Sequence, residues 1–343
     1  MLYSNLIRPL LFKLPAETAH DITIRQLELL QNSYMGRGLI KLLSGHVESN
    51  PVQVMGLNFR HPVGLAAGLD KDAKVIRGLF QMGFSHIEVG TLTPKSQPGN
   101  DKPRLFRLKE DHALINRMGF NNEGSIAASR RLKKRDPNWG VVGGNVGRNK
   151  ITNNENAIDD YIASMSHLRD YVDYFTVNIS SPNTPGLREL QQEEVLKNLL
   201  TKISDDNSKS LKPRPLAVKI SPDLSKQEVQ SISRLAVTCG FNGIIGTNTT
   251  VNRTGLKTKA NRIKDAGSGG VSGRPLTRHS TDVVAWIKEA VGDSSAVIGV
   301  GGVFNAQDVI DKRNAGADLV QIYTGFVYNG PSMINNIQEA WIK

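Results

Sequence analysis

At 343 residues the chain can bury a large core, as one domain or as one domain with a small appendage. Hydrophobic residues at 39% and charged residues at 22% exclude a disordered or collagen-like chain; the single cysteine, Cys239, excludes an intrachain disulfide framework and Cys-rich zinc sites and suits a reducing, cytoplasmic setting. The formal charge of +11 favours an anionic partner, yet aromatics are only 6% and no basic run interleaves with them, which argues against nucleic acid as that partner.

The first fourteen residues carry an apolar run cut by Arg8, Pro9 and Lys13, so neither a signal peptide nor a membrane span is expected, and any membrane contact is peripheral. Residues 1 to about 45 read as two short helices, with Leu6, Ile7, Leu10 and Leu11 on the first and Ile24, Leu27 and Leu30 on the second. Arg8, Lys13, Arg25, Arg37 and Lys41 lie among these stripes. That mixture suits helices resting on an anionic bilayer surface, and the same spacing suits a helical cap packed on the main domain.

From about residue 50 short β-rich runs alternate with helix-length stretches: VGLAA at 63, HIEVG at 86, VVGGNV at 141, YFTVNIS at 174, PLAVKIS at 215, GIIGTNT at 243, AVIGVGG at 296 and LVQIYTG at 319. The runs are mostly continuous in polarity, which implies strands buried on both faces of a parallel sheet. Eight such units without a linker predict a (β/α)8 TIM barrel over residues 46–343, behind the short extension of residues 1–45. Polar residues close each run: Lys71, Thr91, Asn145, Asn178 with Ser181, Lys219, Thr247 with Asn248, Gly301 with Gly302, and Tyr323 with Thr324. Barrel enzymes place their chemistry at these strand ends.

Gly301, Gly302, Tyr323, Thr324 and Gly325 end the last two runs, where barrels often bind phosphate, and Gly269, Gly270 and Gly273 supply a third wall. A phosphorylated cofactor is the expected occupant. The segment NISSPNTPGL, residues 178–187, fits either a polar ligand or an Asx-rich turn in a mobile loop. Asn116, Arg117, Asn121, Asn248 and Thr249 offer donors and acceptors suited to a flat heterocycle bearing a carboxylate and imide groups. Lys71 and Lys219, each at the end of an apolar strand, are expected to point into the mouth. No His-x-x-x-His spacing, Gly-x-Ser-x-Gly elbow or Walker sequence occurs, which argues against a metal site, acyl transfer and P-loop chemistry.

The motifs GLAAGLDKD, GTLTPKSQPGNDKPRLFRL, INRMGFNN, NISSPNTPGLRELQ, GTNTT with SGRPL, and IGVGG with VQIYTG, in this order, resemble the dihydroorotate dehydrogenase family from about residue 50 to 330. The resemblance implies FMN held by Ala66, Ala67, Gly68, Lys71, Thr91, Asn145, Asn178, Lys219 and Thr247, with its phosphate at Gly273, Gly302, Tyr323 and Thr324. It implies dihydroorotate or orotate held by Lys71, by Asn116, Arg117, Met118, Gly119 and Phe120, by Asn178 and Asn183, and by Asn248 and Thr249. Ser181 is implied as the catalytic base, and Thr184 is the candidate to help relay its proton.

The family reaction removes the C5 proton of dihydroorotate and passes the C6 hydride to flavin N5, a step of de novo pyrimidine (UMP) biosynthesis. Soluble branches of the family carry cysteine where this chain has Ser181. That serine and the segment Leu14 to His20 resemble the membrane-associated, quinone-reducing branch, class 2, whose extension forms a lipid-facing quinone tunnel. The resemblance implies a monomer attached peripherally at the cytoplasmic face of the inner, or cell, membrane, with Arg107 near the quinone head group. Gly246, where the family commonly has alanine, and GGNVGRNK around Asn145 depart from the pattern and are expected to affect packing near FMN. The rival reading is another FMN barrel oxidoreductase acting on a reduced pyrimidine with a nicotinamide or fumarate acceptor; the lack of iron–sulfur cysteines weighs against it.

Overall fold

The computed structural model describes residues 2–45 and 47–342. The expected boundary between extension and barrel falls at His46, outside the described residues. Before it the chain forms a π-helical turn, Tyr3–Ile7, that runs into α1 (Arg8–Leu11), then α2 (Ala16–Gln31) and α3 (Tyr34–Ser44). The extension is thus more divided than the two expected helices, and Arg37 and Lys41 sit on a helix of their own. The cause is local: Pro15 at φ −52° stands extended before α2, and Ser33 stands extended before α3, its hydroxyl accepting from Gly36 N–H (3.0 Å).

The hairpin β1 (Val52–Val54) and β2 (Leu57–Phe59) turns at Met55 and Gly56, both at positive φ. Then come β3 (Val63–Leu65) and β4 (His86–Leu92), the excursion β5 (Leu105–Leu108) and β6 (Ala113–Asn116), and β7 (Val141–Val146), β8 (Tyr174–Asn178), β9 (Leu216–Ile220) and β10 (Gly243–Gly246). A short β11 (Gly270–Gly273) precedes β12 (Ala296–Val300) and β13 (Leu319–Ile322). The eight runs expected from sequence are the eight barrel strands, closed in the order β10-β12-β13-β3-β4-β7-β8-β9 with every neighbour parallel. Most strand residues are buried because helices cover the outside and side chains fill the inside.

Two features were not anticipated. The β1–β2 hairpin packs against the N-terminal ends of the strands, where Phe59 meets the His86 ring edge-on at 5.2 Å. At the opposite end β5, β6 and β11 form an antiparallel sheet ordered β11-β6-β5, which roofs one side of the mouth. Helix α2 seats Leu27 against Gly78 of the helix Ile76–Gln81; a Cβ at Gly78 would lie 2.7 Å from the Leu27 side chain. Gly246 sits against Ile287 of an outer helix, so that departure concerns helix packing outside the barrel rather than the cofactor side.

Candidate active site

The strand ends, the β5–β6–β11 roof and α2 enclose one cavity, about 1160 Å³ with the open space at its mouth included. Ala66, Ala67, Gly68, Lys71, Thr91, Asn178, Ser181, Lys219, Thr247, Gly273, Gly302, Tyr323 and Thr324 line it together, as do Asn116, Met118, Gly119, Phe120, Asn183, Asn248 and Thr249. Residues separated by up to 258 positions therefore meet because the sheet closes on itself.

At the β12 and β13 ends the backbone is shaped for close approach. Gly302, at φ +70°, packs so tightly that a Cβ would lie 2.2 Å from Thr277 Oγ1. Opposite it, Tyr323 and Thr324 open the short helix Thr324–Asn329, whose first N–H groups have no intrahelical partner. The Tyr323 phenol lies in the cavity wall, its pKa pushed up to about 12 by burial.

Below the cavity runs a connected set of side chains. The Asn145 amide N–H donates to Glu88 Oε1 (2.6 Å), and its carbonyl accepts from Thr91 Oγ1 (2.5 Å) and Asn178 Nδ2 (3.2 Å). Asn178 Nδ2 also donates to Thr91 Oγ1 (2.9 Å), and Asn178 Oδ1 accepts from Asn248 Nδ2 (3.3 Å). Asn145 is therefore one layer below the lining, fully buried, and holds two lining residues in place.

Two lysines face this cavity without a protein hydrogen bond among the described residues. Lys219 is buried, its Nζ 4.0 Å from Glu88 Oε1; burial lowers its pKa and the Glu88 charge opposes that shift. Burial also lowers the pKa of Lys71; Asp72, Glu17 and Asp21 oppose the shift, while Arg104 adds to it. The His20 imidazole, from α2, reaches the same cavity and is held neutral, with a pKa near 3, by burial and by Lys71.

Ser181 is buried in the segment after β8, its Oγ accepting from Asn183 N–H (3.2 Å) and donating to no protein group among the described residues. Asn183 Nδ2 donates to Asn116 Oδ1 (3.1 Å). The hydroxyls of Thr184 and Thr249 are buried without partners. This segment, expected to be mobile, is tied down: Arg148 Nη2 donates to Pro185 O, Asn100 Nδ2 to Asn183 O (3.0 Å) and Asn154 Nδ2 to Gly186 O (2.9 Å).

Seven nominated residues lie off the cavity lining: Asn145 beneath it, and Arg107, Arg117, Asn121, Thr184, Gly269 and Gly270 outside it. The Arg117 guanidinium covers the Phe106 ring at 4.8 Å and donates to Ala266 O, Ser268 O and Pro103 O, so it braces the roof. Arg107, on β5, donates to Leu14 O (2.8 Å), Phe12 O (3.4 Å) and Leu11 O (3.3 Å) and covers the Phe12 ring at 4.6 Å. It pins the turn between α1 and α2 to the roof.

Sequence reasoning missed Glu88, Gln321, His20 and Ser272. For Glu88 a signal existed, since an acidic residue in the middle of HIEVG breaks an otherwise apolar run. Among the described residues no group of three or more His, Cys, Asp or Glu is placed to hold a metal, and no helix is long and apolar enough to cross a membrane.

The family model for dihydroorotate dehydrogenase matches residues 50–342. A quinone-dependent dihydroorotate dehydrogenase of Christiangramia forsetii is 47% identical over 348 residues, covering 100% of this chain and 99% of the relative. A second, of Marinobacter nauticus, is 45% identical and covers 98% of each chain. Among solved structures, the ligand-free enzyme of Eimeria tenella superimposes with a TM-score of 0.81 at 35% identity, covering 90% of this chain and 93% of that one; its complex with ferulenol gives 0.79 at 34%.

Proposed function

The chain belongs to the dihydroorotate dehydrogenase family, and from that premise we propose that it oxidises (S)-dihydroorotate to orotate in pyrimidine biosynthesis, with a flavin as hydride acceptor and a quinone as final electron acceptor. The flavin in this reading is FMN. The observation that carries the site assignment is the pair of lysines, Lys71 and Lys219, that face one cavity without protein hydrogen bonds. Buried ammonium groups are costly unless a ligand supplies acceptors or negative charge, which a substrate carboxylate and a flavin both offer.

When bound, FMN would supply the two-electron chemistry between substrate and quinone. Gly273, Gly302, Tyr323 and Thr324 would hold its phosphate, and Ala66, Ala67, Gly68, Thr91, Lys219 and Thr247 its ring, with Asn145 bracing Thr91 from beneath. Lys71, Asn116, Asn183, Asn248 and Thr249 orient the substrate, with Met118, Gly119 and Phe120 as the wall beside it. The Asn116–Asn183 hydrogen bond fixes which face each amide offers. Arg117 contributes by bracing that wall rather than by touching the substrate.

Ser181 takes the C5 proton. Its hydroxyl is buried and its own hydrogen is not given to a protein acceptor, so it is free to exchange a proton with substrate on one side and a relay on the other. The unpartnered Thr184 hydroxyl is the first candidate for that relay.

The extension, residues 1–45, is assigned to membrane contact and quinone access, and residues 46–343 to catalysis, in a monomer bound peripherally at the cytoplasmic face of the cell membrane. Leu10, Leu29 and Leu42 support this: they are 58%, 68% and 74% exposed, and the helices of the last two bury Leu27 and Ile40 in the core. Arg107, which donates to the carbonyls of Leu11, Phe12 and Leu14 at the junction, is assigned to the quinone head group in this reading.

The test is the flavin absorbance of the purified protein, before and after anaerobic dihydroorotate and then a soluble quinone. Bleaching by the substrate and recovery with the quinone are expected. A flavin spectrum indifferent to dihydroorotate overturns the substrate, and a colourless protein overturns the cofactor.

A further inference from the structure

Glu88 is fully buried on β4, inside the barrel below the cavity. Four neutral donors from three other strands converge on its carboxylate: Asn145 Nδ2 on Oε1 (2.6 Å), and Thr176 Oγ1 (3.0 Å), Gln321 Nε2 (3.0 Å) and Tyr174 OH (3.3 Å) on Oε2. The Lys219 ammonium, from a fourth strand, stands 4.0 Å from Oε1. A carboxylate accepts and never donates, so it accepts from all four donors and faces the lysine with opposite charge, whereas a protonated acid would turn a hydrogen toward one of them.

The direction of these bonds propagates. Because Asn145 gives its N–H to Glu88, its carbonyl must face the cavity, where it accepts from Thr91 and Asn178. The Asn178 amide is then oriented with its carbonyl toward Asn248. One buried charge thereby selects the orientation of a chain of amides that ends in the cavity lining.

We propose that Glu88 is a positioning residue for the reaction: it is the counter-charge that keeps Lys219 an ammonium at the cavity, and the acceptor that fixes the orientation of Asn145, Thr91 and Asn178. Burial alone works against charge on Lys219, and Glu88 is the group that opposes it. Besides these two, Tyr174 is the titratable group in the cluster, and Glu88 together with burial holds its pKa well above the usual phenol range. The inference rests on the flavin reading above, since it is the flavin that senses the Lys219 charge.

The experiment is a pH titration of the chemically reduced, FMN-loaded protein, read from the absorbance difference between neutral and anionic reduced flavin, in wild type and in Glu88→Gln. Loss of the counter-charge lets Lys219 lose its proton, so the reduced flavin should ionise at least about one pH unit higher, a tenfold change in its acidity. Glu88→Asp keeps the charge one methylene further from Lys219 and should shift the ionisation the same way by less. It also serves should Glu88→Gln not yield folded holoprotein. A flavin ionisation that is unchanged or lowered in whichever variant carries FMN overturns the proposal, whatever happens to the melting temperature. A wild type without flavin overturns the cofactor reading instead.

Discussion

The mouth of the barrel and the N-terminal extension meet across the β5–β6–β11 roof but are built on opposite rules. In the mouth, polar side chains point inward, and most of them hold one another: Thr91, Asn145 and Asn178 bond to one another, and Arg148 and Asn100 pin the Ser181 segment. In the extension it is apolar side chains that face outward, with Met35 and Leu42 85% and 74% exposed. The junction between them is polar and specific. Glu17 of α2 pairs with buried Arg104 (2.9 Å), and Gln31 bonds Lys74 O (2.7 Å) and Gly78 N–H (2.9 Å). A segment so firmly seated on one side, and so apolar on the other, is suited to sit between the catalytic cavity and a lipid surface.

The largest effect that tests this contrast is expected in the mouth. Ser181→Ala should slow flavin reduction by dihydroorotate roughly 10²- to 10⁴-fold, the usual worth of a positioned proton acceptor, in stopped-flow bleaching. Vesicle binding should not change. A rate within a few-fold of wild type would remove Ser181 as the base.

Acid should break the barrel from its other end. His61 and His86 lie under the β1–β2 hairpin, and burial lowers their pKa values from 6.5 to about 4 and about 3, so folding binds them neutral. Their contribution to stability is complete above pH 6.5 and is lost as the pH falls toward the folded values. Each unit costs about 1.4 kcal/mol per group, so His61 alone accounts for about 3 kcal/mol by pH 4. Chemical denaturation at pH 7 and pH 4.5 should show this fall, and replacing His86 by a neutral isostere such as Gln should flatten it. Equal stability at both values would refute it.

On the outer face, Leu29→Glu with Leu42→Glu should weaken binding to anionic vesicles roughly a hundredfold, from ~1.5 kcal/mol or more of lost apolar burial per side chain. Flavin reduction by dihydroorotate should be preserved and folding altered by no more than ~0.5 kcal/mol per site. Wild-type binding in co-sedimentation would mean that this face meets something other than lipid. The smallest effect sharpens the proton route: Thr184→Val should slow flavin reduction by roughly tenfold or less, with substrate affinity unchanged. An unchanged rate would take Thr184 out of the relay.

The eight barrel strands and most of the mouth were legible in sequence for a local reason. A strand buried on both faces is apolar along most of its length, so a polar residue at or near its end marks its limit and its aim, as Asn178 and Lys219 do. The motif INRMGFNN nominates Arg117, and its Asn116 and Met118 do line the cavity; only the fold shows the Arg117 guanidinium spent on Ala266, Ser268 and Pro103. The three-part division of the extension was present in Pro15 and Ser33 but hidden by an apolar spacing that runs across them.

What the sequence determined by itself is the architecture and the location of the chemistry, since hydrophobic periodicity and strand-end residues are properties of short stretches. What only the tertiary structure decided is which groups share a bond. Glu88 and Gln321 stand 233 residues apart in the chain and meet at 3.0 Å because β4 and β13 belong to one closed sheet. The donors that make a buried carboxylate tolerable there come together only when the barrel closes.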